Sequence, residues 1–196
     1  MEHNTFKMAD GNFTGPKERQ QPFPVLATER LVLRRFRQED VGSVYQGLSH
    51  PEVIRHYGVS YDSLGAAQEQ MDWYAAIERE EKGIWWAVCD HKNQTFLGAV
   101  GFNDRSKEHR KTEMGYWLLP QYWGSGIISE AGLAACGYAF QKMSVHRIEA
   151  VVETENANSK KVMKQLGFEL EGVMKDCEIK DGKFISLEMY AKLNRM

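Results

Sequence analysis

The segment from Thr112 to Ala131 carries the clearest chemistry in the chain. An apolar run stopped by Pro120 leads into Gln121-Tyr122-Trp123-Gly124-Ser125-Gly126, and Ile127 opens a long Ala-rich helical stretch. Gly124 and Gly126 lack Cβ, so the backbone can bend sharply there and expose successive N–H groups. The first N–H groups of the following helix have no internal partner, and the helix dipole adds about half a positive charge at that end. A phosphate or pyrophosphate belongs at such a spot. A purely structural glycine turn is the other reading.

Two phosphate-binding patterns can be compared with this turn. Gly124-Ser-Gly126-Ile-Ile-Ser129 resembles the start of a dinucleotide fingerprint, with Glu149 on a strand at a suitable distance downstream. Against it, Ser129 stands where the third glycine belongs, and too little chain follows the turn for a doubly wound sheet. The preceding strands also read as an antiparallel meander. No GxxxxGK[ST] occurs, so a P-loop is excluded. Cys89, Cys136 and Cys177 are odd in number and scattered, with no CxxC and no histidine at ligand spacing. That argues against a disulfide scaffold or structural zinc and for free, buried thiols in a reducing compartment. His56, His109 and His146 have no spaced partner, so neither a metal site nor a catalytic histidine is expected.

The elements that must hold the turn follow from periodicity. Met1 to Pro24 is polar and broken by Gly and Pro, and reads as a flexible or extended leader (1–25) packed at its end by Phe23 and Val25, ahead of one domain over 26–196. Residues 30–34 alternate as a strand. Helical spacing covers 38–48 and 65–81. Apolar strands cover 84–89 and 95–102, joined by a turn at 90–93, and a third covers 112–119. A helix over 127–143, a strand over 147–153 and a short helix over 158–166 follow, the last stopped by Gly167. Strands over 168–179 and 183–191 flank Asp181-Gly182, a dipeptide that favours a tight primed turn. This order is a mixed α+β domain with seven strands. The 196 residues suit one domain, and 42% hydrophobic with 27% charged residues excludes global disorder. Lys+Arg 25 against Asp+Glu 27 gives a net charge of -2, which speaks against nucleic-acid binding. No apolar run is long enough to span a bilayer and the N-terminus has no secretory apolar core, so the expectation is a cytoplasmic protein without a membrane partner.

Five pieces in register resemble one family. Gln121-Tyr-Trp-Gly124-Ser-Gly126 has the pattern Q/R-x-x-G-x-G/A of the GNAT superfamily, the acetyl-CoA-dependent N-acetyltransferases. The others are Thr28 to Arg34, Leu97 to Phe102, Glu113 to Leu118, and Glu155-Asn156-Ala157-Asn158-Ser159 running to Leu166-Gly167-Phe168. Together they are similar to the branch containing ribosomal-protein N-terminal acetyltransferases, the Rim type, over about Thr28 to Leu193. The resemblance implies the GNAT fold, a mixed and largely antiparallel sheet flanked by helices. Acetyl-CoA would lie in a V-shaped gap between the strands ending at Leu119 and near Glu153. Trp117, Leu118 and Leu119 would lend backbone groups to the pantetheine arm. The N–H groups of Trp123, Gly124, Ser125, Gly126 and Ile127 would hold the pyrophosphate. Asn156 matches a cofactor-contacting position and also suits a helix cap.

The implied reaction is attack of a neutral amine on a thioester. An α-amine is roughly a tenth to a fifth neutral at pH 7 and a lysine less than a thousandth, a difference of about 3–4 kcal/mol, so a carboxylate without an extreme pKa can serve the former. Glu178, just before the Asp181-Gly182 turn, matches a proposed Rim-type base, and Glu113 sits where many superfamily members place a carboxylate. Ser159 matches the Rim-type candidate that meets the departing thiolate, with helix capping as its other role. A backbone N–H at Trp117 or Leu118 would meet the oxyanion. The aromatics Trp73, Tyr74, Trp85 and Trp86 are expected mostly in the core, with some on the helix 66–82 lining the acceptor pocket. Arg105, Lys107, His109, Arg110 and Lys111 form a basic cluster, read as a solvated loop or as a site for the adenosine 3′-phosphate or an acidic partner. The expected acceptor is a protein N-terminus, with a small-molecule amine (polyamine, antibiotic or peptide) as the alternative. A non-catalytic acyl-CoA sensor is a further alternative, and homodimers are common for this fold.

Overall fold

The computed structural model describes residues 22–92 and 94–195. Eight strands form one sheet: β1 (Leu26–Ala27), β2 (Leu31–Arg34), β3 (Ile84–Asp90), β4 (Phe96–Ser106), β5 (Lys111–Leu118), β6 (Arg147–Glu153), β7 (Glu169–Lys180) and β8 (Lys183–Leu193). Their spatial order is β1-β2-β3-β4-β5-β6-β8-β7. Every neighbouring pair is antiparallel except β5 with β6. The expected seven strands become eight because Leu26 and Ala27 pair with Leu33 and Val32. Two residues carry no periodicity of their own, so only the pairing reveals them.

Helices cover both faces, which explains why β3 reads Ile-Trp-Trp-Ala-Val-Cys without polar interruption: each alternate side chain meets a packed layer. Trp86 and Val88 join the core beneath α4 (Ile127–Lys142) and α5 (Ala157–Gln165). Trp85, Ala87 and Cys89 join the core beneath α1 (Val41–Leu48) and α3 (Leu64–Arg79). The helix expected over 38–48 is divided: Gln38–Asp40 form a 3-10 turn, and α1 begins at Val41. The cause is Asp40, whose carboxylate accepts from the Arg37 N–H at 2.7 Å and from the Arg34 guanidinium at 2.7 and 2.9 Å. A short helix α2 (Pro51–Ile54) follows, started by Pro51 at its first position.

Most of the leader lies outside the described residues. Its described end is packed as expected at Phe23, which meets the Trp86 ring edge-on at 6.1 Å, while the Trp86 indole N–H donates to Pro24 O at 2.8 Å. Val25 departs from the expectation: it is 62% exposed. Among the described residues no helix is long and apolar enough to cross a membrane.

Candidate functional site

The seam between β5 and β6 creates the site. The two strands pair in parallel only at Lys111–Arg147, Thr112–Ile148 and Glu113–Glu149. Beyond Glu113 and Glu149 they part, and a cavity of about 810 Å³ occupies the gap. Its wall includes Glu113 and Tyr116 from β5, Val151 and Glu153 from β6, Asn156 just before α5 and Ser159 within it, and Glu178 from β7. The V-shaped gap and the side chains assigned to catalysis are thus brought to one place from four elements.

Each side chain has a local reason for its position. Glu113 occupies the last paired position of the seam, and burial together with nearby Asp104 and Glu149 raises its carboxyl above the ordinary value. Glu178 is aimed by a bulge: from Met174 to Glu178 β7 advances four residues while β8 passes only from Leu187 to Ile185. Asp176 takes a left-handed φ of 48° inside that bulge, and its N–H is held by Ser186 Oγ at 2.9 Å. A bulge of this kind turns the strand and redirects the next side chain. Asn156 is the N-cap of α5, its Oδ1 accepting from the Ser159 N–H at 3.0 Å. The cap role therefore falls to Asn156, not Ser159, and its carboxamide still lines the cavity.

The floor is built by a cross-strand row. Trp85, Gly101 and Gly115 are successive partners across β3, β4 and β5. A Cβ on Gly101 would lie 2.3 Å from Trp85 Cγ, and one on Gly115 would lie 2.7 Å from Trp85 Cη2. Only glycine lets the indole lie flat across both strands. Trp73 and Trp85 line the cavity, whereas Tyr74 and Trp86 are core residues. Three buried side-chain polar atoms have no hydrogen-bond partner among the described residues, and two of them, Trp85 Nε1 and the Tyr116 hydroxyl, belong to residues of this wall.

The glycine turn lies at the far end of β5. Gly124 and Gly126 have φ of 73° and 76°, and Gly126 is the N-cap of α4. Left-handed backbone of this kind strains any residue with a Cβ. The N–H groups of Gly124, Ser125, Gly126 and Ile127 have no protein partner among the described residues, as an anion site requires. Two of the expected backbone donors are already engaged. The Trp123 N–H is taken by Pro120 O at 3.1 Å, and the Leu119 N–H by Leu97 O at 3.0 Å. Leu118 O already accepts from the Trp123 indole at 2.9 Å. The side chains of Trp117, Leu118 and Leu119 are buried, so these three positions offer backbone groups alone.

Sequence reasoning missed two groupings. Arg30 stands against the glycine turn, donating from Nη1 to Ser125 O at 3.0 Å and from Nε to Glu130 at 2.6 Å, and Thr28 also binds Glu130. A side chain almost a hundred positions upstream thus braces the turn, its own charge met by Glu130. In the cavity wall, Glu153 accepts from Lys180 at 2.6 Å and pairs with His56 at 2.5 Å. Burial alone would raise the Glu153 carboxyl, but the hydrogen bonds from Lys180 and His56 outweigh it and hold it below the ordinary value. No spacing rule links 56, 153 and 180. The basic cluster lies at the end of β5 away from the glycine turn. There Arg105 and Arg110 donate to Met143 O and Ser144 O, Lys107 pairs with Glu81, and Lys111 with Glu149. It is a structural cluster and does not face the anion site.

A model of the acetyltransferase (GNAT) domain matches residues 30–169. The chain belongs to the GNAT acetyltransferase family. It is 31% identical over 170 residues to an N-acetyltransferase of Bacillus subtilis of uncharacterised function, YoaA, covering 86% of this chain and 96% of that one. It is 29% identical over 140 residues to the ribosomal-protein-serine acetyltransferase of Escherichia coli, covering 64% of this chain and 78% of that protein. Its fold matches that of RimL, the ribosomal L7/L12 α-N-protein acetyltransferase solved with coenzyme A, with a TM-score of 0.79 at 19% identity over 87% of this chain and 98% of that one. This GNAT protein is an acyltransferase, and its activity is acetyl-CoA-dependent N-acetylation.

Proposed function

We propose that this acetyltransferase modifies a protein N-terminal α-amine in the cytoplasm, binding both substrates before direct transfer. The observation that carries the reading is the cavity at the β5–β6 seam, whose wall Glu113, Ser159 and Glu178 share. The free N–H groups of Gly124 to Ile127, with Arg30 beside them, suit the pyrophosphate of acetyl-CoA, and the gap beyond Glu113 suits its arm. Backbone groups of Trp117 and Leu118, together with Asn156, border that path.

In this arrangement Glu178 accepts the proton of the attacking amine, directly or through one water. The C–N bond forms as the C–S bond breaks, and sulfur leaves with the electron pair as a thiolate. The Ser159 hydroxyl donates a hydrogen bond to that thiolate, and a backbone N–H on β5 meets the transient oxyanion. Glu113, more buried, supplies negative charge that favours a cationic amine entering the cavity. The low demand of an α-amine fits a base as exposed as Glu178; a lysine acceptor would need a further ~3–4 kcal/mol of deprotonation.

The test is calorimetric titration with acetyl-CoA, CoA and NAD, followed by thiol release with peptides bearing free N-termini, N-blocked lysine peptides and polyamines. Free N-termini should be the preferred acceptors, and Glu178→Gln should lower kcat by roughly 10²–10⁴. Preference for a polyamine would transfer the reading to a small-molecule acceptor. Acetyl-CoA binding without turnover on any amine would make the protein an acyl-CoA sensor. A large kcat loss in Glu113→Gln, with Glu178→Gln active, would move the base to Glu113.

A further inference from the structure

Glu178 stands on a part of the sheet with little to hold it. β6 pairs with β8 from Arg147–Leu193 to Glu153–Leu187, and a last bond runs from the Thr154 N–H to Ser186 O at 3.0 Å. Beyond Ser186, β7 and β8 continue as a two-stranded ribbon. It carries Glu178, paired with Ile185, and ends in the Asp181-Gly182 turn. The ribbon is solvated: Ile179 and Phe184 are each 68% exposed. Two strands alone are marginally stable in water. A carboxylate that must meet an amine at hydrogen-bond distance needs firmer support, because a small misplacement of a reacting group is costly in rate.

The support comes from Lys180. It lies two residues after Glu178 on β7, so both side chains leave the same face of the strand, and both line the cavity. Among the described residues, the hydrogen bonds that tie the ribbon beyond Ser186 to other segments are those of the Lys180 ammonium. It donates to Glu153 Oε1 at 2.6 Å and to Arg55 O at 2.5 Å. Glu153 is held in turn by His56 Nδ1, 2.5 Å from its other oxygen. With both oxygens engaged and its side chain only 15% exposed, Glu153 is a fixed anchor. The reach to it is long. On a flat sheet the Glu153 and Lys180 Cα atoms would stand about 16 Å apart, from the ~3.3 Å rise between Leu187 and Lys183 on β8 and two strand spacings of ~4.8 Å. The ribbon is therefore bent back toward β6 when the ion pair forms, and the bulge between Met174 and Glu178 is where a strand bends. We propose that Lys180 is a positioning residue for Glu178: it ties the ribbon tip to Glu153 and to the loop at Arg55 and His56, and so fixes where the carboxylate stands in the cavity. This rests on the assignment of Glu178 to the proton of the attacking amine. The Lys180 ammonium is committed to Glu153 and Arg55 O, so it acts through the strand and not on the substrate.

The test compares wild type, Lys180→Met, Lys180→Arg, Glu178→Gln and the Lys180→Met/Glu178→Gln double variant, with acetyl-CoA and the best acceptor found above. Lys180→Met keeps an unbranched side chain and removes its donors. It should lower kcat about 10- to 100-fold, the scale of a misplacement near 1 Å, while acceptor KM, acetyl-CoA affinity and thermal midpoint hold. Amide hydrogen exchange between Cys177 and Lys183 should quicken in the same variant. Lys180→Arg, which keeps a cation for Glu153, should recover most of the rate. In the Glu178→Gln background Lys180→Met should lower kcat no further, because the group it positions is gone. An equal loss in both backgrounds would overturn the proposal, since Lys180 would then act on the substrate or through the fold at large. So would a loss of rate without faster exchange in the ribbon. Full activity in Lys180→Met beside an impaired Glu178→Gln would overturn the proposal and leave the base assignment standing. If Glu178→Gln is itself as active as wild type, the base assignment fails first and the proposal with it.

Discussion

Consider an alanine placed at each glycine of the Trp85 row. At Gly115 the new Cβ would meet the far edge of the indole, 2.7 Å from Cη2 and 2.8 Å from Cζ2, and no backbone atom is among its near contacts. At Gly101 it would meet the root of the ring, 2.3 Å from Cγ and 2.5 Å from Cδ2, and also Ile84 O at 2.6 Å. The indole cannot lift freely, because Trp73 and Tyr74 pack against it at 6.0 and 5.3 Å. Overpacking a core by one methyl costs about 1–3 kcal/mol, and replacing glycine within a strand returns roughly 0.5–1 kcal/mol. Gly115→Ala should therefore lose about 1–2 kcal/mol, a fall in Tm of roughly 2–8 °C for a chain of this size, and Gly101→Ala should lose more. The informative comparison is made in a Trp85→Leu background by urea unfolding. There the Gly115→Ala penalty should vanish or reverse, since its only conflict was the ring. The Gly101→Ala penalty should persist in part, because the Ile84 carbonyl is still in the way. If Gly115→Ala remains as damaging without the indole, the glycine is not there to admit Trp85, and this account of the cleft floor is wrong.

Two further outcomes follow from the charged groups. Because burial raises the Glu113 carboxyl, the folded state holds that proton more tightly than the unfolded chain does, so stability is lost as pH rises through the folded pKa. Glu113→Gln should accordingly raise the thermal midpoint at pH 7 and leave it unchanged below the ordinary carboxylate range; melts across pH that show no such crossover would refute the assignment. The Arg34–Asp40 pair has side chains only 9% and 4% exposed, so Asp40→Asn should leave a buried guanidinium uncompensated and cost about 3–5 kcal/mol in denaturant unfolding, with m unchanged.

The sequence was readable where local physics decides alone. The strand over 147–153 matches β6 at both ends, because its alternating buried positions leave one register. Asp181 and Gly182 take φ of 50° and 75°, as a tight primed turn demands. Gly124 and Gly126 pointed to an anion site for the same local reason. What stayed hidden depends on distant chain. Nothing near Met174 announces the bulge that turns Glu178 into the cavity, because its cause is Ser186 on the next strand. The Arg30 contact to the turn and the His56–Glu153–Lys180 grouping exist only after the sheet is assembled. Asn156 and Ser159 were both suitable caps, and only the hydrogen bond chooses between them.

The glycine turn and the cavity wall also record where information is stored. The free N–H groups of the glycine turn come from one unbroken run, Gly124 to Ile127, and a single short segment encodes them. The cavity wall is assembled from the loop at His56 and Tyr57, from Trp73, from Glu153 and from Glu178 to Lys180, which are distant from one another in the chain. A donor site written in one word is inherited or lost as a unit. An acceptor site written in scattered letters can be edited one letter at a time, so relatives that share the donor need not share a client.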